Sequence, residues 1–306
     1  VTLASARVFR DARSELSESP VYDPRTSEVV WVDITEKRVV RSPIDGAVNG
    51  IDDRSFTLPS DTSAVGLTQV PGEFIVAQRD GVYRADARGE LSVIARIRYT
   101  NPATQRLNDG KPDPYGNFVV GSVDFSGEPN GNLYRITPSG EISILRTGFV
   151  NANGLGWTAD GRTIYFTDSV YRSVYAADYS LEDGLTNERV FAKTPDGLPD
   201  GLTVDAEDHV WLASPRSSQI LRFAPDGHVV LDCKPPSDLV TSLEFVGPDL
   251  RTLLITTTRY RMDGPNVASE PGVGALYQYE TPYTGVPAHR FGEVRVARSP
   301  RQRSVA

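Results

Sequence analysis

Ala159-Asp160-Gly161-Arg162-Thr163-Ile164-Tyr165-Phe166-Thr167-Asp168-Ser169-Val170-Tyr171-Arg172-Ser173-Val174-Tyr175-Ala176 reads as a turn, an apolar strand, a polar turn and a second strand. The same unit recurs along the chain. Val29-Val30-Trp31-Val32, Phe74-Ile75-Val76-Ala77, Phe118-Val119-Val120-Gly121, Val210-Trp211-Leu212-Ala213 and Leu253-Leu254-Ile255-Thr256 match its first strand. With Trp31, Ile75, Val119, Tyr165, Trp211 and Leu254 taken as equivalent, the spacings are 44, 44, 46, 46 and 43 residues. No long stretch carries apolar residues at helical spacing. Repeats of roughly 40–50 residues built from short strands and turns are the signature of a propeller, each repeat a four-stranded antiparallel blade. Six periods account for nearly the whole chain. The sequence therefore predicts an all-β, six-bladed β-propeller, residues 1–306 forming one domain around a central channel.

The repeat also fixes a phase. Stepping back 11 to 13 residues from each equivalent position lands on Glu18, Ser63, Asn108, Asn153, Asp200 and Ser242. Each is expected near the start of its blade's innermost strand, where strand ends converge on the channel axis. All six carry side-chain oxygen. Carboxylates and amides gathered out of water demand a partner, because an unpaired charge there costs several kcal/mol. Oxygen-only donors with two carboxylates suit a hard divalent cation, Ca²⁺ first, with Mg²⁺, Mn²⁺ or Zn²⁺ as alternatives. A ring of hydrogen-bonded polar residues in a water-filled channel is the competing reading. His209, His228 and His289, the only histidines, all fall outside this phase. His209 is expected inside a blade strand in a structural role.

Composition narrows the partners. The chain has 40 acidic and 32 basic residues and a net charge of −8, a balance unlike that of a protein that binds phosphate backbones. Its one basic cluster, Arg298, Arg301 and Arg303, reads as a disordered tail over residues 298–306. No apolar run approaches the roughly 20 residues of a membrane helix. A small molecule is the expected partner, with neither nucleic acid nor membrane. Cys233 is the only cysteine, so no intrachain disulfide forms and a cytoplasmic setting is expected. The opening Val1-Thr2-Leu3-Ala4 has neither initiator Met nor signal pattern, and export after leader cleavage stays open.

Several motifs, in order, resemble the senescence marker protein family, which includes regucalcin, gluconolactonases and the luciferin-regenerating enzyme. They are Glu18-Ser19-Pro20-Val21-Tyr22, Arg106-Leu107-Asn108-Asp109-Gly110-Lys111-Pro112-Asp113, Asn153-Gly154-Leu155-Gly156-Trp157, Pro199-Asp200-Gly201-Leu202-Thr203-Val204-Asp205 and Gly247-Pro248-Asp249-Leu250-Arg251. The resemblance implies a divalent ion held by Glu18, Asn153 and Asp200, with Arg106 and Asn108 contacting substrate. Relatives often place an acidic substrate contact in the segment Ser122–Asn130, where Asp124 or Glu128 would serve. Asp109, by strand alternation, is expected to turn away from Asn108 and to serve the site indirectly or structurally. Leu243 and Glu244 depart from the small or apolar residues common after the sixth blade's serine.

The resemblance further implies a gluconolactonase-like hydrolase of a small lactone. The cation would polarise the carbonyl and lower the pKa of a bound water, and Asp200 would act as general base. Arg106 or Asn108 would stabilise charge developing on the carbonyl oxygen. No Ser-His-Asp arrangement competes, and Cys233 reads as an inert thiol. Two other readings remain at this stage. One keeps the metal site for a different ring-opening, cyclising, isomerising or phosphotriester reaction in specialised metabolism. The other is a non-enzymatic calcium-binding propeller. Substrate, physiological ion and oligomeric state are not written in the sequence.

Overall fold

The computed structural model describes residues 5–194, 196–259 and 272–293. The basic tail at 298–306 lies outside them. Six antiparallel sheets surround a channel, and each expected strand of the repeat is the second strand of one blade. From the channel outward, blade 1 is Ser17–Asp23, Glu28–Asp33, Arg38–Pro43 and Arg54–Thr57. Blade 2 is Thr62–Thr68, Phe74–Gln78, Gly81–Ala85 and Leu91–Arg96. Blade 3 is Gln105–Pro112, Phe118–Asp124, Gly131–Ile136 and Ile142–Phe149. Blade 4 is Ala152–Trp157, Thr163–Asp168, Ser173–Ser180 and Gly184–Lys193. Blade 5 is Leu202–Val204, Val210–Ser214, Gln219–Phe223 and Val229–Cys233. Blade 6 is Val240–Val246, Thr252–Thr257 and Leu276–Glu280, completed by Arg7–Arg10 from the start of the chain. No helix among the described residues is long and apolar enough to cross a membrane.

The core lies between blades, where the second strands bury both faces: Trp31, Ile75, Val119, Tyr165, Trp211 and Leu254 are all 3% exposed or less. That accounts for their near-continuous apolar runs. The first strands of successive blades pack on one another, and the circle closes where blade 6 meets blade 1.

Five of the six first strands break register where the polar ring was expected. The shifts fall at Glu18/Val21, Thr62/Ala64, Leu107/Gly110, Asn153/Leu155 and Val240/Leu243. In blade 5 the ladder continues past the strand through Asp200 N to Ala213 O at 3.0 Å and Ala213 N to Gly201 O at 2.9 Å. A bulge re-aims side chains and ends regular pairing, so the repeat places one polar residue per blade at the mouth.

The opposite end of the channel is covered. The segment from Thr281 to Glu293 crosses the face formed by the turns between first and second strands. Gly285 N bonds Leu250 O at 2.8 Å, Ala206 N bonds Thr284 O at 2.8 Å, and Gly292 N bonds Gly116 O at 2.8 Å. Arg290–Phe291 adds a parallel strand to Leu67 and Thr68 of blade 2. Val286, Pro287, Ala288 and His289 thereby floor a channel cavity of about 60 Å³.

Candidate metal centre and substrate mouth

Glu18 is 7% exposed, and its Oε2 accepts a hydrogen bond from Ser19 N at 3.0 Å. Ser19 holds a left-handed φ of 50°, a conformation that costs a non-glycine residue roughly 1 kcal/mol or more and clusters at functional sites. The Ser19 hydroxyl is bonded by Val65 N at 3.0 Å, tying this bulge to blade 2. Burial, then the charges of Asp200 and Asp109, hold the Glu18 carboxyl well above the usual carboxylate range. Asp200 and Asn153 are half-buried at the channel wall. Burial and the Asp109 charge raise the Asp200 carboxyl well above its ordinary value, against hydrogen bonds from Asn153 and Gly201 N. Asn153 Nδ2 also donates to Ser169 Oγ at 3.2 Å, and Ser169 Oγ donates to Pro199 O at 2.7 Å. With its nitrogen so used, the amide leaves Oδ1 available to a cation.

Asn108, Ser63 and Ser242 are committed to their neighbours. Asn108 Nδ2 donates to Asn151 Oδ1 at 3.1 Å and Ala152 O at 2.9 Å, while its Oδ1 accepts from Arg106 Nη1 at 2.8 Å. Ser63 Oγ donates to Asn108 O at 2.8 Å. Ser242 N is bonded to Thr256 Oγ1 at 2.9 Å, with its side chain packed on Gly201. Arg106 is 8% exposed, and burial draws its guanidinium down to about 10. It lies 5.2 Å from the ring centre of Phe125, which is 54% exposed beside the mouth.

Two acidic residues beside the ring have surroundings that the sequence did not specify. Asp109 does not turn away: the Leu107/Gly110 bulge interrupts alternation, and its charge bears on both Glu18 and Asp200. It is 4% exposed, with Oδ1 accepting from Gly110 N at 2.7 Å and Oδ2 buried without a hydrogen-bond partner. Asp124, expected to touch substrate, is spent on its own turn. Its Oδ1 accepts from Ser126 N at 2.9 Å and Ser126 Oγ at 2.7 Å, and its Oδ2 from Asn130 Nδ2 at 2.9 Å. Burial opposes ionisation there, but these bonds outweigh it and take the carboxyl down to about 2. Asp33 and Asp168 close the second strands of blades 1 and 4 in the same way, accepting from Glu15 N at 3.1 Å and Val150 N at 2.9 Å. Glu128 is exposed.

A second acidic group brings ligand atoms of Asp205, Glu207 and His209 within 4.8 Å of one another, closer than Glu18, Asp109 and Asp200 approach. Asp205 is already satisfied, accepting from Trp211 Nε1 at 2.9 Å, Arg222 Nε at 2.9 Å, Glu207 N at 2.9 Å and His209 N at 3.0 Å. This is a salt-bridged turn, and His209 sits in it rather than inside a strand. Burial pushes the Cys233 thiol up to about 12, so it carries almost no thiolate at neutral pH.

The ring passes the test for a hard cation. It gathers the Glu18 and Asp200 carboxyls, which burial and neighbouring carboxylates raise, adds an amide oxygen, and offers neither imidazole nor thiolate. The described residues thus form a six-bladed β-propeller with oxygen-donor side chains gathered at one end of its channel. The chain belongs to the SMP-30/gluconolactonase/LRE-like family, whose model matches residues 16–259. It is 32% identical to a 6-deoxy-6-sulfogluconolactonase of Pseudomonas putida over 86% of this chain and 90% of that one. It is likewise 32% identical to a pentonolactonase of Haloferax volcanii, over 92% and 96% of the two chains. A solved calcium-binding regucalcin of Agrobacterium tumefaciens superposes with a TM-score of 0.85 at 24% identity, over 94% and 97% of the chains.

Proposed function

We propose that this protein is a divalent-metal-dependent hydrolase of a small sugar lactone. The observation that carries the reading is the convergence of Glu18, Asn153 and Asp200 at a single mouth, with Arg106 and Asn108 beside them. The two relatives named as sugar lactonases support the substrate class. Glu18, Asn153 and Asp200 would hold the ion. Ca²⁺ fits their oxygen-only donors and accords with the calcium-binding regucalcin of the same fold.

When bound, the cation would supply Lewis acidity toward the ester carbonyl and toward water. Asp200 orients the attacking water and takes its proton at a carboxylate oxygen. Water oxygen bonds to the carbonyl carbon, the ring C–O bond breaks, and a proton passes to the departing ring oxygen, giving a hydroxy acid. Arg106 Nη1 is tied to Leu107 O and Asn108 Oδ1, both at 2.8 Å, which fixes the guanidinium where its remaining donors meet substrate oxygens. Among the described residues, Thr281–Glu293 covers the far end of the channel, so water and lactone would enter from the end that carries Glu18 and Asp200. Proton release from aldonolactones by chelator-stripped protein, with Ca²⁺, Mg²⁺, Mn²⁺ or Zn²⁺ restored in turn, tests the proposal. Ion-dependent turnover that disappears in Asp200→Ala is expected. Tight ion binding with no lactone turned over would shift the reading to other ring chemistry at the same centre.

A further inference from the structure

Beneath the ring, one ammonium group spans the channel. Lys111, three residues beyond Asn108 on blade 3, donates to Glu244 Oε2 at 2.8 Å and to Leu202 O at 3.0 Å. Glu244 belongs to blade 6, which stands opposite blade 3 in a ring of six, and Leu202 opens the first strand of blade 5. Glu244 is itself held fast: Oε1 accepts from Thr203 Oγ1 at 2.6 Å and from Phe245 N at 3.0 Å. It is 8% exposed. Lys111 is thus held by the Glu244 carboxylate, and its charge also bears on Asp109.

We infer that Glu244 restrains Lys111, holding its ammonium off the Asp109 carboxylate so that the centre stays open to a cation. The inference rests on the metal-centre reading given above. An ammonium on a four-carbon stem is a mobile point charge that turns toward the strongest uncompensated anion in reach. Asp109 Oδ2 is such an anion, buried and without a hydrogen-bond partner. Lys111 and Glu244 both line the channel cavity of about 60 Å³. Without Glu244 the ammonium keeps only the Leu202 carbonyl, and Asp109 becomes its better partner. An ammonium at Asp109 then offsets the negative charge that Asp109 contributes beside Glu18 and Asp200, and the centre attracts an external cation less.

The test is calorimetric titration of Ca²⁺ into chelator-stripped full-length protein: parent, Glu244→Leu, Lys111→Met and the double variant, each checked for folding by circular dichroism. Glu244→Leu should bind Ca²⁺ at least about tenfold more weakly. Lys111→Met should bind at least as tightly as the parent, and the double variant should return to within about threefold of it. Should Glu244→Leu fail to fold, Glu244→Gln is read the same way, with weaker binding that Lys111→Met restores. Parental affinity in Glu244→Leu overturns the inference, as does a double variant as weak as Glu244→Leu. A parent that binds no divalent ion overturns the metal-centre reading and this inference with it.

Discussion

Gly154→Ala should disable the metal centre without altering any group that touches the ion. Gly154 follows Asn153 and faces the backbone that carries Asp200. A Cβ added there would stand 2.6 Å from Leu202 N, 2.9 Å from the Gly201 carbonyl carbon and closer still to Asp200 O. Its own backbone is outside the left-handed region, so the cost is steric alone. Bringing even the 2.6 Å approach to the 3.4 Å of an ordinary contact means opening blades 4 and 5 by about 0.8 Å, and the closer Asp200 O demands more. Rigid backbone lies on both sides, so no side chain can absorb the change by rotating. Overpacking of this kind costs about 1–3 kcal/mol of stability. Metal ligands tolerate displacements of only about 0.2 Å, so the opening of Asn153 from Asp200 should weaken Ca²⁺ binding by at least about tenfold. Calorimetric titration with a parallel thermal melt reads both quantities. A folded Gly154→Ala protein that binds Ca²⁺ with parental affinity would refute the argument that these two blades jointly hold the ion.

Asp200→Asn keeps the shape of the site and removes the base, and kcat should fall by about 10²-fold or more, with the fold unchanged by circular dichroism. Asp124→Ala should do the reverse: the turn loses three hydrogen bonds to a carboxylate, roughly 2 kcal/mol in all, while kcat/KM changes less than about threefold. A large loss of kcat/KM there would restore Asp124 as a substrate contact. The raised Glu18 and Asp200 carboxyls set the pH response of the ion-free protein. Groups held above their unfolded pKa of about 4 contribute stability in full below that value and lose it as pH climbs to the raised folded values. Chelator-stripped protein should therefore melt lower at pH 7.5 than parallel Asp200→Asn protein, with the gap narrowing toward pH 5 and Ca²⁺ reversing it. Arg222→Ala leaves Asp205, 0% exposed, without its cation and should cost about 3–5 kcal/mol in chemical denaturation, with no change in the number of ions bound.

The blades were legible because their chemistry repeats. Apolar second strands and the turns before them recur at a nearly constant interval, and the ring followed from the same phase. Alternation along a strand misplaced Asp109 because it assumes an unbroken ladder, and the ring stands on bulges. A signal at Asp124 was available and unused: Asp33 and Asp168 end the same strand in other blades, and a residue that recurs in one register is structural before it is specific. Glu244 stood out as unusual, but its partner lies 133 residues away on the opposite blade, beyond any local pattern. The crossing segment Thr281–Glu293 was invisible for another reason. Backbone hydrogen bonds to several blades hold it, and those leave no periodic trace in side-chain type.

Anomalous diffraction from crystals soaked in Mn²⁺ would locate a cation among Glu18, Asn153 and Asp200. A single strong peak is expected at the channel mouth, within about 2.0–2.6 Å of oxygens from those three side chains and absent from Asp200→Ala crystals. A peak at Asp205, Glu207 and His209, or no peak at the mouth in a protein that hydrolyses lactones, would contradict it.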